Sequence, residues 1–312
     1  MGDPYAQFGG KDKFDEFIKR VLDNVPGPKY NPMPHSPTTI PDPPPIGNFK
    51  CDMVIARYKE SLAWLDRYNK YTFNKIVVYN KGPNDGICKL NSLSCEQKTL
   101  KNEGRCDHTY LYHIINNYDN LADVTIFTKG SSSAHREKKK LLFTISKVFE
   151  TRNSVFSVSN THTPVHLAAK GFTLDAYQAS YSDNQNSSAN SVKTKPACLR
   201  PFDTWYTKHF PDINVNYIVF AGIFAVSRKH IHNRPIEFYQ KLLKQLEGHS
   251  NPEVGHYIER SWIAIFHPPK KADKAELDAY MACMYNDIIH EIYYGGGRTK
   301  RIRRRQKRRH TR

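Results

Sequence analysis

The chain has 312 residues, 39% apolar and 12% aromatic, with a formal net charge of +17. This composition excludes a wholly disordered chain, and the lack of a Gly-X-Y or heptad repeat excludes collagen and coiled coil. The charge is uneven: residues 298–312, RTKRIRRRQKRRHTR, hold ten Lys/Arg and no acid, so the remaining 297 residues carry only +7.

Residues 11–24 set Phe14, Phe17, Ile18, Val21 and Leu22 at helical spacing, predicting a short helix within 1–25. Nine prolines fall in 26–45, so 26–48 reads as an extended linker or strap, with a proline-recognition ligand as the alternative. An α/β domain is expected over 49–294. It opens with a buried strand at 53–56, then a helix face in ESLAWLDRY from Leu62 and Leu65. KIVVYNKG is a second strand, stopped by Gly82-Pro83, and a polar loop spans 83–104. Leu111, Ile114, Ile115 and Tyr118 form a helical stripe, and DVTIFTKG is a third strand. This alternation predicts right-handed βαβ units and a mostly parallel sheet flanked by helices.

Farther along, a helix is expected over 141–148 and a low-complexity surface loop over 181–196. NVNYIVFAGIFAVS reads as a strand that can bend at Gly222. Helices follow Pro235, carry Ile258, Trp262, Ile265 and Phe266, and span 272–294. Residues 295–312 are expected to be a disordered basic tail. Its readings are polyanion attraction, a nuclear-localisation signal, an acidic membrane surface, or simple solvation.

The longest apolar run, 217–226, is half of what a membrane helix needs, and the N-terminus lacks a signal-peptide core. Six cysteines without Cys-X-X-Cys read as free thiols of a reduced intracellular protein, cytoplasmic or nuclear. The one sequon, at Asn186, then reads as chance.

Ligands of open parallel sheets bind beyond the carboxyl ends of the strands. There the chain places Arg57 and Tyr58 after the first strand, and Asn80 and Lys81 after the second. Lys129 ends the third, with His135 close behind, while Gly104, Arg105 and His108 precede the long helix. Cations at three strand ends point to a phosphate or diphosphate, against the alternative of three unrelated surface bases. Neither Gly-X-X-X-X-Gly-Lys-Ser/Thr, Gly-X-Gly-X-X-Gly nor Gly-X-Ser-X-Gly occurs, which disfavours P-loop, dinucleotide and α/β-hydrolase chemistry. His162/His166 and His230/His232 lack the partners of a zinc site, so no metal ligands are assigned. Glu259 lies at the edge of an apolar helix face. It reads as a general base or as a helix salt bridge to Arg260 or a neighbour.

VIARYKESLAWL, KIVVYNKG, NEGRCDHTYLYHIINNYDNLADVTIFTKG, GIFAVSRKHIHNRPIEFYQKLLKQLE and GHYIERSWIAIF carry a resemblance. The chain resembles a domain-of-unknown-function family of fungi, bacteria and large DNA viruses, and is similar to capsular-polysaccharide-type glycosyltransferase domains. The resemblance implies a GT-A-like, Rossmann-type fold that transfers sugar from a nucleotide-diphosphate donor to a hydroxyl of a glycan or protein. It sets Arg57 and Tyr58 at the donor base, Asn80 and Lys81 beside the nucleoside, and Gly104, Arg105 and His108 at the pocket mouth. Glu259 becomes the base, with Arg228, His256, Arg260 and Trp262 on the acceptor side. GT-A enzymes usually hold a divalent metal by Asp-X-Asp. Here the strand ends Thr128-Lys129-Gly130, so the ligands lie elsewhere, or Lys129 and Arg105 replace the metal's charge, or the fold survives without catalysis. The rival class is a non-catalytic, virion- or nucleic-acid-associated protein that works through its tail.

Overall fold

The computed structural model describes residues 47–84, 93–133, 135–174 and 194–267. The expected N-terminal helix, proline-rich strap, 272–294 helix and basic tail lie outside the described residues, as does most of the 181–196 loop.

The strands are β1 (Cys51–Arg57), β2 (Lys75–Asn80), β3 (Glu96–Thr99), β4 (Val124–Lys129), β5 (Val155–Phe156), β6 (Ser159–Asn160), β7 (Tyr217–Ile218) and β8 (Phe224–Ser227). The helices are α1 (Arg105–Asn116), α2 (His135–Thr151), α3 (Val165–Ala168), α4 (Phe202–His209), α5 (Arg228–Ile231), α6 (Ile236–Lys244) and α7 (Glu253–Phe266). The main sheet runs β3-β2-β1-β4-β8-β5. Its first four strands are parallel, whereas β8 pairs antiparallel with both β4 and β5. β6 and β7 form a separate antiparallel pair. The order 3-2-1-4 puts a topological switch between β1 and β4, the place where open α/β sheets bind ligands at their carboxyl ends.

All seven residues of β1 are buried, as expected of a strand covered on both faces. Alternate residues supply the two layers. Val54, Val77, Tyr79, Phe127 and Phe224 meet Tyr110, Leu111, Trp262 and Ile263 of α1 and α7 on one face. Met53, Ile55, Val78 and Ile126 meet Trp64, Leu65 and the Leu141–Ile145–Val148 stripe of α2 on the other.

Four expectations change. ESLAWLDRY forms a 3-10 turn, Ala63–Tyr68, whose buried residues are Trp64, Leu65 and Tyr68. The polar 83–104 loop contains β3, whose Glu-Gln-Lys-Thr carries no apolar signal. It is an edge strand held to β2 by backbone register alone. The strand read across 214–227 divides into β7 and β8, in different sheets, because Ala221 and Gly222 both take positive φ. Cys95 is disulfide-bonded, so the all-thiol reading fails there. Cys51, Cys106 and Cys198 are free. Among the described residues, no helix is long and apolar enough to cross a membrane.

Candidate active site

The exits of β1 and β2 are locked together. Arg57 is 4% exposed. Its Nε donates to the Glu60 carbonyl at 2.7 Å and its guanidinium donates to Asn80 Oδ1 at 2.9 Å. The Asn80 amide donates to the carbonyls of Gly82 and Pro83, both at 3.0 Å. Tyr58 N–H donates to Glu60 Oε2 at 2.8 Å. A Cβ at Gly82 would sit 1.8 Å from the Tyr58 carbonyl oxygen, so only glycine allows the two loops to touch. Lys81 reaches inward to the carbonyls of Glu103 and Arg105, which join β2 to the start of α1. Burial lowers its pKa to about 8, against the fields of Cys106, Asp107 and Glu103.

The second group gathers where α1 begins, beside α7 and the exit of β4. Gly104 caps α1 with φ 57°, and an added Cβ would lie 2.7 Å from both His108 Cβ and Leu246 Cβ. The chain thus enters the helix pressed against α6's C-terminal turn. Asp107, in the first turn of α1, is 2% exposed. One carboxyl oxygen accepts from Trp262 Nε1 at 3.1 Å, and the other faces the Cys106 thiol at 3.8 Å. Burial first, and the neighbouring Glu259 charge second, push the Asp107 pKa up to about 7, with Arg105 and Trp262 opposing.

Glu259 is half-buried on α7 and accepts from the Ala221 N–H at 3.0 Å. The neighbouring Arg260 lays its guanidinium over the Phe172 ring and donates to the His256 carbonyl. Lys129 Nζ meets Glu137 Oε1 at 2.7 Å. Burial works against its charge, but Glu137, Cys106 and Glu259 together raise its pKa. Burial and Arg105 lower His256 to about 4, so this imidazole is neutral at pH 7. Burial and Lys81 do the same to His108, whose Nδ1 has no hydrogen-bond partner. Burial likewise raises the Cys106 thiol, which keeps it protonated.

The structure therefore brings Lys81, Arg105, Lys129, His256, Glu259 and Trp262 into one electrostatic neighbourhood with Asp107. Arg57 and Asn80 form a separate lock. Arg228 is not brought there: it pairs with Asp123 at 2.8 Å, and the antiparallel course of β8 puts it at the opposite end of the sheet. His135 opens α2, with its side chain outside what is described. His230 faces Ser154 Oγ at 2.6 Å in the core. Sequence reasoning missed Asp107, because its helix was read from the apolar stripe that starts four residues later. An acid at a helix start was the available signal. A carboxyl whose pKa is raised by burial and by a second carboxylate beside it, with cations near, is an arrangement found at functional sites.

Residues 53–283 match the family model described as Protein of unknown function (DUF3431). The chain belongs to this family. In the DUF3431 domain so defined, every residue from Arg57 to Trp262 discussed above lies inside the matched span. No curated protein matches the chain.

Proposed function

We propose that the chain transfers a glycosyl group from a nucleotide-diphosphate sugar to a hydroxyl acceptor, with Glu259 as general base. The seat of Glu259 carries this reading: half-buried, held by Ala221 N–H, and within electrostatic reach of both Asp107 and Lys129. In the displacement, the acceptor oxygen bonds to the anomeric carbon and its proton passes to Glu259. The bond from that carbon to the diphosphate oxygen breaks, and its electron pair leaves with the diphosphate. Lys129 and Arg105 supply positive charge where the leaving group develops its own. The GT-A resemblance and the topological switch between β1 and β4 support the donor half of this reading.

A GT-A-type divalent metal does not fit the β4 exit. Thr128-Lys129-Gly130 offers no carboxylate, and Asp119 and Asp123 precede the strand. Among the described residues, no group of three or more His, Cys, Asp or Glu stands ready to hold a metal ion. No step is routed through one.

The test is a panel of nucleotide sugars read by melting temperature, with and without magnesium or manganese. Stabilisation by one donor class is expected, since a ligand that binds only the folded state raises its stability. Equal stabilisation by any phosphate polymer would replace the transferase with the polyanion-binding reading.

A further inference from the structure

Phe220 and Leu167 are the large apolar side chains exposed among the described residues, at 38% and 55%. A lone surface leucine needs no explanation. Phe220 is different because of what holds it. It stands on the turn between β7 and β8, and the two residues after it have positive φ, 74° at Ala221 and 62° at Gly222. A left-handed alanine is strained and persists only where surrounding contacts impose it. Here Ala221 N–H donates to Glu259 at 3.0 Å, and the Gly222 carbonyl accepts from the Tyr110 hydroxyl at 2.8 Å. The exposed ring is thereby fixed relative to the proposed base.

Arg260 completes the surface. Its guanidinium lies 4.1 Å from the Phe172 ring centroid and 5.7 Å from that of Phe220. The three side chains form an aromatic–cationic–aromatic rim, one residue along α7 from Glu259. A flat ring with C–H groups on its face and hydroxyls on its edge complements such a rim: the C–H face meets the π-cloud, and the hydroxyls meet the cation. A serine or threonine acceptor has no such face, and a phosphate would be drawn instead to Lys129 and Arg105.

We infer that Phe220, Arg260 and Phe172 form the acceptor subsite, and that the acceptor is a carbohydrate ring stacked on Phe220 with a hydroxyl turned to Glu259. The role of acceptor rests on the glycosyl-transfer reading; the carbohydrate binding does not.

The experiment is calorimetric titration of the full chain with hexasaccharides of β-1,4-glucose, α-1,4-glucose, β-1,4-xylose and β-1,4-N-acetylglucosamine. At least one should bind. Phe220→Ala should weaken that binding by about tenfold, the scale of one ring lost from an aromatic stack. Phe220→Trp should restore it, and both variants should keep the wild-type melting temperature. Unchanged affinity in Phe220→Ala, or binding of no hexasaccharide, overturns the subsite. The donor panel separates the two ideas. Hexasaccharide binding that depends on Phe220, with no response to any nucleotide sugar, would remove the transfer reaction and leave the subsite. Donor binding with a silent Phe220→Ala would do the reverse.

Discussion

At the exits of β1 and β2, Arg57 and Lys81 direct their hydrogen bonds to carbonyls of Glu60, Glu103 and Arg105 and to the Asn80 amide oxygen. At the exit of β4, Lys129 faces the Glu137 carboxylate and lies in the fields of Cys106 and Glu259, while Asp107 and Glu259 act on each other. Both regions deliver cations from the ends of neighbouring parallel strands. At the first, the cations satisfy backbone acceptors and fix loops. At the second, Lys129 balances carboxylates. A basic residue at a strand end is therefore no guide to ligand binding until its hydrogen-bond partners are known.

The sharpest way to break this comparison is Glu259→Gln. If the β4 side is the reactive one, turnover should fall by roughly two to four orders of magnitude while donor affinity is kept, as steady-state kinetics and donor titration would show. Undiminished turnover would leave the β4 group with no more chemistry than the β2 lock.

Arg57→Ala tests the other side. It removes the buried guanidinium that ties the Asn80 amide oxygen to the Glu60 carbonyl, leaving Asn80 Oδ1 only a long bond from Gly82 N–H, and urea unfolding should show a loss of about 3 kcal/mol. A stable variant with impaired donor binding would instead make Arg57 a ligand residue. Gly104→Ala should cost about 2 kcal/mol, because alanine dislikes this φ and its Cβ collides with His108 and Leu246. Its melting temperature reports whether the entry to α1 is as tightly set as the two lock loops.

The smallest effect is a slope. Asp107 is raised in the folded state to about 7, so it favours folding while protonated. That contribution is complete below its unfolded pKa near 3.8 and is lost as pH rises toward and through about 7. His108, His230 and His256, lowered to about 4, act oppositely: each stabilises above its unfolded value near 6.5 and loses that as pH falls through about 4. The readout is therefore the difference between wild type and Asp107→Asn. Wild type should lose stability relative to the variant between pH 4 and 7. A constant difference across that range would mean that Asp107 does not titrate there.

Periodicity alone located β1, β2, β4, α1, α6 and α7, because each buries an apolar run or stripe whose spacing is set by backbone geometry. It also put Lys129 and Glu259 at element ends or edges. β3 was illegible, since an edge strand of Glu-Gln-Lys-Thr is held by main-chain pairing that leaves no mark in side-chain hydrophobicity. The reversal of β8 was equally hidden. One apolar stretch serves either strand direction, and the choice fell to the left-handed turn at Ala221–Gly222 and to what packs around it. That same turn gives Glu259 its hydrogen bond and Phe220 its place, across a gap of 38 residues. The meeting of Asp107 with Trp262 spans 155 residues. Sequence determined which segments bury and which ends carry charge. Only tertiary packing decided which charges meet carbonyls and which meet each other, because burial and partner choice depend on contacts between elements far apart in the chain.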